Sequence, residues 1–208
     1  MKILHLDSSI TGQFSVSRLL TAEAVAGLVA QHPDAEVIYH DLAEEPVMHL
    51  SPAHLAAFQG GPVTNEALRQ DLALGARYME ELFAADIIVI GAPMYNHGLA
   101  TQLKSWIDRV AVAGKTFRYT EHGPEGLLPA STQVFIVSSK GGVYSGDSPA
   151  KHLEHSETHL MGVLGLMGLK KVKVIRAEGI GMGPEARQRA IDAGRLTIGS
   201  LGKVKQAA

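Results

Sequence analysis

The chain has no cysteine among its 208 residues. That excludes disulfides, thiolate metal ligands, Cys-ligated iron–sulfur clusters and a cysteine nucleophile. Long apolar runs are also missing: no stretch approaches the ~20 residues of a membrane span. The opening run Met1-Lys2-Ile3-Leu4-His5-Leu6-Asp7 is broken by His5 and stopped by Asp7, too short for the apolar region of a signal peptide. The expected address is therefore the cytoplasm. Charge of one sign is scarce, with 19 Lys and Arg against 21 Asp and Glu and a net charge of −2. A general nucleic-acid binder shows a basic excess, and a small electron carrier often uses a strong single-sign field for docking. Neither pattern is present. There is no GxGxxG and no Walker sequence, which weakens Rossmann and nucleoside-triphosphate readings. Internal repeats, low-complexity tracts and interdomain linkers are absent, so one domain over 1–208 is expected.

What is present is an alternation of apolar runs and helical patterns. Strands are predicted at 2–8 (KILHLDS), 36–42 (EVIYHDL), 86–92 (DIIVIGA), 132–138 (TQVFIVS) and 172–178 (KVKVIRA). Helices are predicted at 17–31, 66–84, 99–112, 154–167 and 184–203, the last with Pro184 near its first turn. In the helix at 66–84, Leu68, Leu72, Ala76, Met79, Leu82 and Phe83 share the predicted apolar face. The run at 86–92 is continuously apolar after Asp86, as suits a strand buried on both faces. Parallel strands need crossover helices, and right-handed crossovers give a three-layer α/β sandwich. Five strands and five helices match the flavodoxin-like plan: a five-stranded parallel sheet, order 2-1-3-4-5, with helices on both faces. Two long excursions, 43–65 and 114–131, interrupt the pattern, and loops of this length are usually functional or flexible.

In such a sheet, ligands sit at the carboxyl ends of the strands where the strand order reverses, here between strands one and three. The loops after residues 8, 92 and 138 should converge there. The first carries Ser9, Ser15, Val16 and Ser17 at the start of a helix, where free N–H groups and hydroxyls suit a phosphate; the plain alternative is an N-cap. The second, Gly91-Ala92-Pro93-Met94-Tyr95-Asn96-His97-Gly98, offers Met and Tyr side chains to lie on a flat ring and amides for its edge; the alternative is a polar turn with Tyr95 half-buried. The third, Ser139-Lys140-Gly141-Gly142, has paired glycines that permit close backbone approach, or it is a simple turn.

Taken together, these loops resemble the FMN-dependent NADH azoreductase and NAD(P)H:quinone oxidoreductase family. The resemblance rests on APMYN at 92–96, TQLKSWID at 101–108, TFRYTEHGPEGLL at 116–128, the serine, lysine and paired glycines of 139–142, and AEGI at 177–180. It implies that Ser9, Ser15, Val16 and Ser17 surround the FMN phosphate. It implies that Met94, Tyr95, Asn96 and His97 line the isoalloxazine, and that Ser139, Lys140, Gly141 and Gly142 bind its pyrimidine side. Two positions depart from the commonest pattern: His97 replaces a frequent phenylalanine and Lys140 a frequent arginine, losing the planar fork. The resemblance further implies one FMN per subunit, NADH or NADPH as donor, quinones and azo compounds as acceptors in a ping-pong scheme, and a homodimer with interfacial sites. Phe117 and Tyr119 are candidates for the substrate-pocket wall, or else anchors of their loop.

No protein nucleophile is expected, because the flavin carries the redox chemistry. His155 and His159, four residues apart near His152, read as a solvated helix start rather than a metal pair. Trp106 reads as core or dimer contact, and Arg187, Arg189 and Arg195 as a solvated helix face. A non-enzymatic electron carrier is the main rival; the two long loops favour an enzyme. A receiver domain would need an aspartate ending strand three, where this chain has Gly91-Ala92-Pro93.

Overall fold

The computed structural model describes residues 1–201. In chain order it has β1 (Lys2–Asp7), α1 (Val16–Gln31), β2 (Glu36–Asp41), α2 (Pro52–Phe58), α3 (Glu66–Ala84), β3 (Ile87–Tyr95), β4 (Gly98–Leu99), α4 (Thr101–Val110), β5 (Phe117–Thr120), β6 (Gly123–Gly126), β7 (Gln133–Lys140), α5 (Ser156–Leu166), β8 (Lys171–Glu178) and α6 (Pro184–Gly199). The main sheet runs β2-β1-β3-β7-β8, and every neighbouring pair along it is parallel. This is the expected order for the five predicted strands. The end of the helix predicted at 184–203 lies outside the described residues.

The apolar run of β3 is explained by two-sided burial. Successive side chains point to opposite faces of a strand. Ile88 and Ile90 join Leu4, Leu6, Val134 and Ile136 beneath α3, α4 and α5, packed on Tyr78, Trp106 and Leu160. Ile87 and Val89 join Ile3, Phe135, Val137 and Ile175 beneath α1 and α6, packed on Leu20, Ala24 and Ile191. Trp106 is fully buried, in the core.

Three local readings differ from the structure. The buried face of α3 contains Asp71, Gly75, Tyr78 and Glu81, while Ala76 and Phe83 are exposed. Hydropathy misses this because the buried acids are paired. Asp71 binds His54 at 3.0 Å and Arg109, and Glu81 binds His40 at 2.6 Å. Second, β3 continues through Pro93, Met94 and Tyr95 and folds back on β4, with Met94 opposite Leu99 and Tyr95 opposite Gly98. β7 likewise includes Ser139 and Lys140.

Third, the excursions hold structure of their own. Residues 43–65 contain α2, with Ser51 at its N-cap and Pro52 in its first turn. Its fully buried His54 pins it to α3 and α4 through Asp71 and Arg109. Residues 114–131 contain the β5–β6 hairpin. That hairpin rests on the end of α5 with almost no clearance: a Cβ on Gly126 would stand 2.1 Å from the backbone nitrogen of Gly168. Among the described residues, no helix is long and apolar enough to cross a membrane.

Candidate active site

The carboxyl ends of β1, β3 and β7 meet in one groove. Asp7 ends β1, and its carboxylate is buried beside Gly91 of β3. A Cβ on Gly91 would come within 2.5 Å of Asp7 Oδ1, so glycine is what lets the two strand ends approach. Ser8 Oγ donates to the Gly91 carbonyl at 2.7 Å, and Thr21 Oγ1 donates to Asp7 at 2.9 Å. These bonds satisfy the buried polar groups of the strand ends and aim the following loop over the sheet.

That loop enters α1 through Ser15, whose side chain accepts the Arg18 N–H at 3.2 Å in ordinary N-cap fashion. The first-turn N–H groups of Val16 and Ser17 remain as donors, since the first amides of a helix have no intrahelical partner. Ser17 is buried, with its hydroxyl 3.1 Å from Ser15 Oγ. Arg18 faces away from this cradle. It donates to the Ser9 carbonyl at 2.7 Å and forms a bidentate pair with Asp41. The hydrogen bond to Asp41 raises the Arg18 pKa above its ordinary value. The Asp41 carboxyl is pushed up by burial, but its bonds to Arg18 outweigh that and hold it below its ordinary value.

Ser9, Ser15, Val16, Met94, Tyr95, Ser139 and Gly141 line a single groove of about 190 Å³. Thr11, Phe14, Pro93, Ile180 and Arg187 line it too. Sequence reasoning did not select these five as site residues, although Ile180 lies in the AEGI block. Arg187 carries no local signal; only the packing of α6 alongside α1 brings its first turn to the loop. Asn96 and His97 sit at the exposed tip of the β3–β4 turn, both with left-handed backbone, φ 47° and 65°. The His97 ring meets Tyr144 edge-on at 5.7 Å, and its carbonyl accepts the His155 N–H at 3.2 Å, tying the turn to the start of α5. Phe117 is buried and contacts the exposed ring of Tyr119 at 5.5 Å. Neither lines the groove of this chain.

The glycine turn after β7 is fixed from below. The carbonyls of Lys140, Gly141 and Gly142 accept N–H groups of Ile180, Gly181 and Gly179 at 2.9–3.1 Å. The N–H groups of Gly141 and Gly142 have no partner among the described residues. A Cβ on Gly141 would project into open space, so the glycine leaves room beside the groove. The Lys140 side chain runs inward rather than toward the groove. It is 1% exposed, and Nζ lies 2.6 Å from Glu157 and 3.4 Å from both Glu154 and Glu178. Glu178 in turn accepts the Tyr144 N–H at 3.1 Å and the Ser145 hydroxyl. Lys140 therefore braces the turn from within the protein. Burial pushes the Glu154 carboxyl up, but bonds from the Glu157 N–H and the Ser156 hydroxyl, with Lys140 nearby, outweigh it and hold it at about 2.

This geometry suits a flavin mononucleotide. The α1 start offers amides and hydroxyls for a phosphate. Met94 and Tyr95 offer surfaces for a flat ring, and the free glycine amides offer donors for a ring edge. The flavodoxin-like fold family matches residues 1–201, and the chain belongs to it. Within it, the chain belongs with the FMN-dependent NADH:quinone oxidoreductases. It is 48% identical to one from Bradyrhizobium sp. over 195 residues, covering 94% of this chain and 96% of that one. It is 50% identical to another from Methylorubrum populi, covering 92% and 94%. The crystal structure of an azoreductase from Bacillus anthracis matches with a TM-score of 0.85 at 26% identity, covering 97% of this chain and 98% of that one.

Proposed function

We propose that this chain binds one FMN per subunit and reduces quinones and azo compounds at the expense of NADH or NADPH, in a ping-pong scheme through one site. The observation that carries the reading is the convergence of Ser9, Ser15, Val16, Met94, Tyr95, Ser139 and Gly141 on one groove at the strand-order reversal. When bound, FMN supplies the redox chemistry, accepting hydride from the nicotinamide and passing two electrons to the acceptor; a quinone takes one such cycle, and full cleavage of an azo bond takes two.

The protein's part is placement. Ser9, Ser15 and Ser17 with the α1 amides hold the phosphate. Met94 and Tyr95 support the ring, with Asn96 and His97 at its rim. Ser139 and the amides of Gly141 and Gly142 meet the pyrimidine side, and Lys140 keeps that turn in position. His97, exposed beside Tyr144, makes the acceptor side more polar than a phenylalanine would. A reaction fed by NADH or NADPH fits a cytoplasmic address.

A homodimer completes the site in this reading. The groove is smaller than the 300–1,000 Å³ typical of whole ligand pockets. Ile10, Phe14, Val143 and Met182 are exposed apolar residues on the loops around it. Tyr119, 74% exposed on its hairpin, is the residue this reading assigns to the wall of a second copy's groove, with Phe117 as its buried anchor. The test is steady-state kinetics with NADH varied at several quinone concentrations, beside sedimentation velocity. Parallel double-reciprocal lines from a dimer support the reading. Intersecting lines contradict the ping-pong scheme, and a fully active monomer contradicts the shared site.

A further inference from the structure

The phosphate cradle on α1 has one cation beside it that no sequence motif announces. Arg187, in the first turn of α6, lines the same groove as Ser9, Ser15 and Val16. Its Nη2 donates to the carbonyl of Phe14 at 2.9 Å, one residue before the α1 N-cap. The other two arginines of α6 are committed to acids. Arg189 lies 3.7 Å from Glu185, and Arg195 lies 2.7 Å from Glu23. Among the described residues Arg187 has no carboxylate partner. Arg18, the cation nearest the cradle in sequence, is spent on Asp41 and the Ser9 carbonyl.

We infer that Arg187 supplies the positive charge for the phosphate of FMN and makes this protein select the phosphorylated flavin over the unphosphorylated one. The inference rests on the FMN reading of the groove. A phosphate monoester carries a charge of about −1.5 to −2 at neutral pH. Serine hydroxyls and helix amides offer only partial charges, whereas a guanidinium offers five donors in a fork that matches phosphate oxygens. One of those donors on Phe14 O holds the side chain across the loop, and the rest stay available to the cradle. Two segments far apart in the chain, the turn at Gly12–Phe14 and the start of α6, thus share one ligand. The Phe14 contact orients Arg187 before the ligand arrives, which reduces the ordering cost of binding.

The test is flavin binding, read by quenching of flavin fluorescence at low and moderate salt, for the full chain and for Arg187→Gln and Arg187→Lys. Gln keeps a donor for Phe14 O and removes the charge; Lys keeps the charge and removes the fork. The expected result is an FMN Kd raised roughly tenfold or more in Arg187→Gln, as for loss of a hydrogen bond to a charged group. Arg187→Lys should fall between it and the parent, and the salt dependence should be weaker in Arg187→Gln. Riboflavin, which lacks the phosphate, should bind all three proteins alike. An unchanged FMN Kd in Arg187→Gln overturns the role of Arg187, as does an equal loss of FMN and riboflavin, which would mark a structural effect. Failure of the parent chain to bind FMN at all overturns the reading of the groove itself.

Discussion

The phenol oxygen of Tyr95 stands 3.2 Å from Ser9 Oγ and 3.2 Å from the backbone nitrogen of Ile10. One side chain from the end of β3 thereby holds the loop after β1, and the two halves of the groove are set against each other across the sheet. Tyr95→Phe removes that tie and keeps the ring. A neutral hydrogen bond contributes about 1 kcal/mol. FMN affinity is expected to fall about fivefold by fluorescence titration, and, because the tie is already made without flavin, the melting temperature of the flavin-free protein should drop by about 2–4 °C.

Gly91 tests how tightly the strand ends are packed. A methyl at this position meets Asp7 Oδ1 at 2.5 Å and Thr21 Cγ2 at 3.4 Å. Neither neighbour is free to leave, because the Thr21 hydroxyl bonds the same carboxylate oxygen. Gly91→Ala is expected to cost about 1–3 kcal/mol, measured by chemical denaturation. An unchanged midpoint would show that the strand ends have more slack than their geometry implies.

Lys140 is a buried cation facing three carboxylates, and removing one partner of such a cluster strands the others. Lys140→Met is expected to destabilise the fold by about 3–5 kcal/mol. Lys140→Arg, which keeps the charge, should cost less. Since Glu178 also holds Tyr144 and Ser145, the methionine variant should weaken FMN binding as well. Denaturation and flavin titration on the same samples separate the two effects.

Acid should weaken the same corner. The Glu154 carboxyl is held at about 2 against an ordinary value of about 4.5. Because the folded value is depressed, its contribution to stability is fully present above about pH 4.5 and is lost as the pH falls toward 2. Glu157, buried but bonded to Arg176 and Lys140, is also held low and acts in the same direction. Stability followed by denaturation from pH 5 down to pH 2 should therefore fall in that window. The slope should be shallower in Glu154→Gln.

The strand order is legible in the alternation of apolar strands and helical patterns, with the central β3 marked by an apolar run whose alternating faces are both buried. The APMYN block and the glycine turn at 139–142 stand out by resemblance to the family; by local pattern alone each reads equally well as a plain turn, and the strands in fact run on through Tyr95 and Lys140. What escaped was pairing. Asp71 and Glu81 look like solvent residues on α3, and it takes Arg109, His54 and His40, brought from distant segments, to join Arg77 one turn ahead of Glu81 and make their burial possible. Lys140 reads as a groove residue for the same reason: its three acids are Glu157 of α5, Glu154 two residues ahead of that helix and Glu178 of β8. Arg187 reads as a solvated helix residue because nothing local marks it; the packing of α6 on α1 decides its place.

In the proposed reaction one groove takes electrons from a nicotinamide and gives them to a quinone through bound FMN. The direct measurement is an anaerobic visible-absorption titration of the protein reconstituted with FMN, adding NADH first and a quinone afterwards. NADH is expected to bleach the flavin with no acceptor present, and quinone to restore the colour. A protein that binds no FMN, or a bound flavin that NADH leaves unchanged, would contradict it.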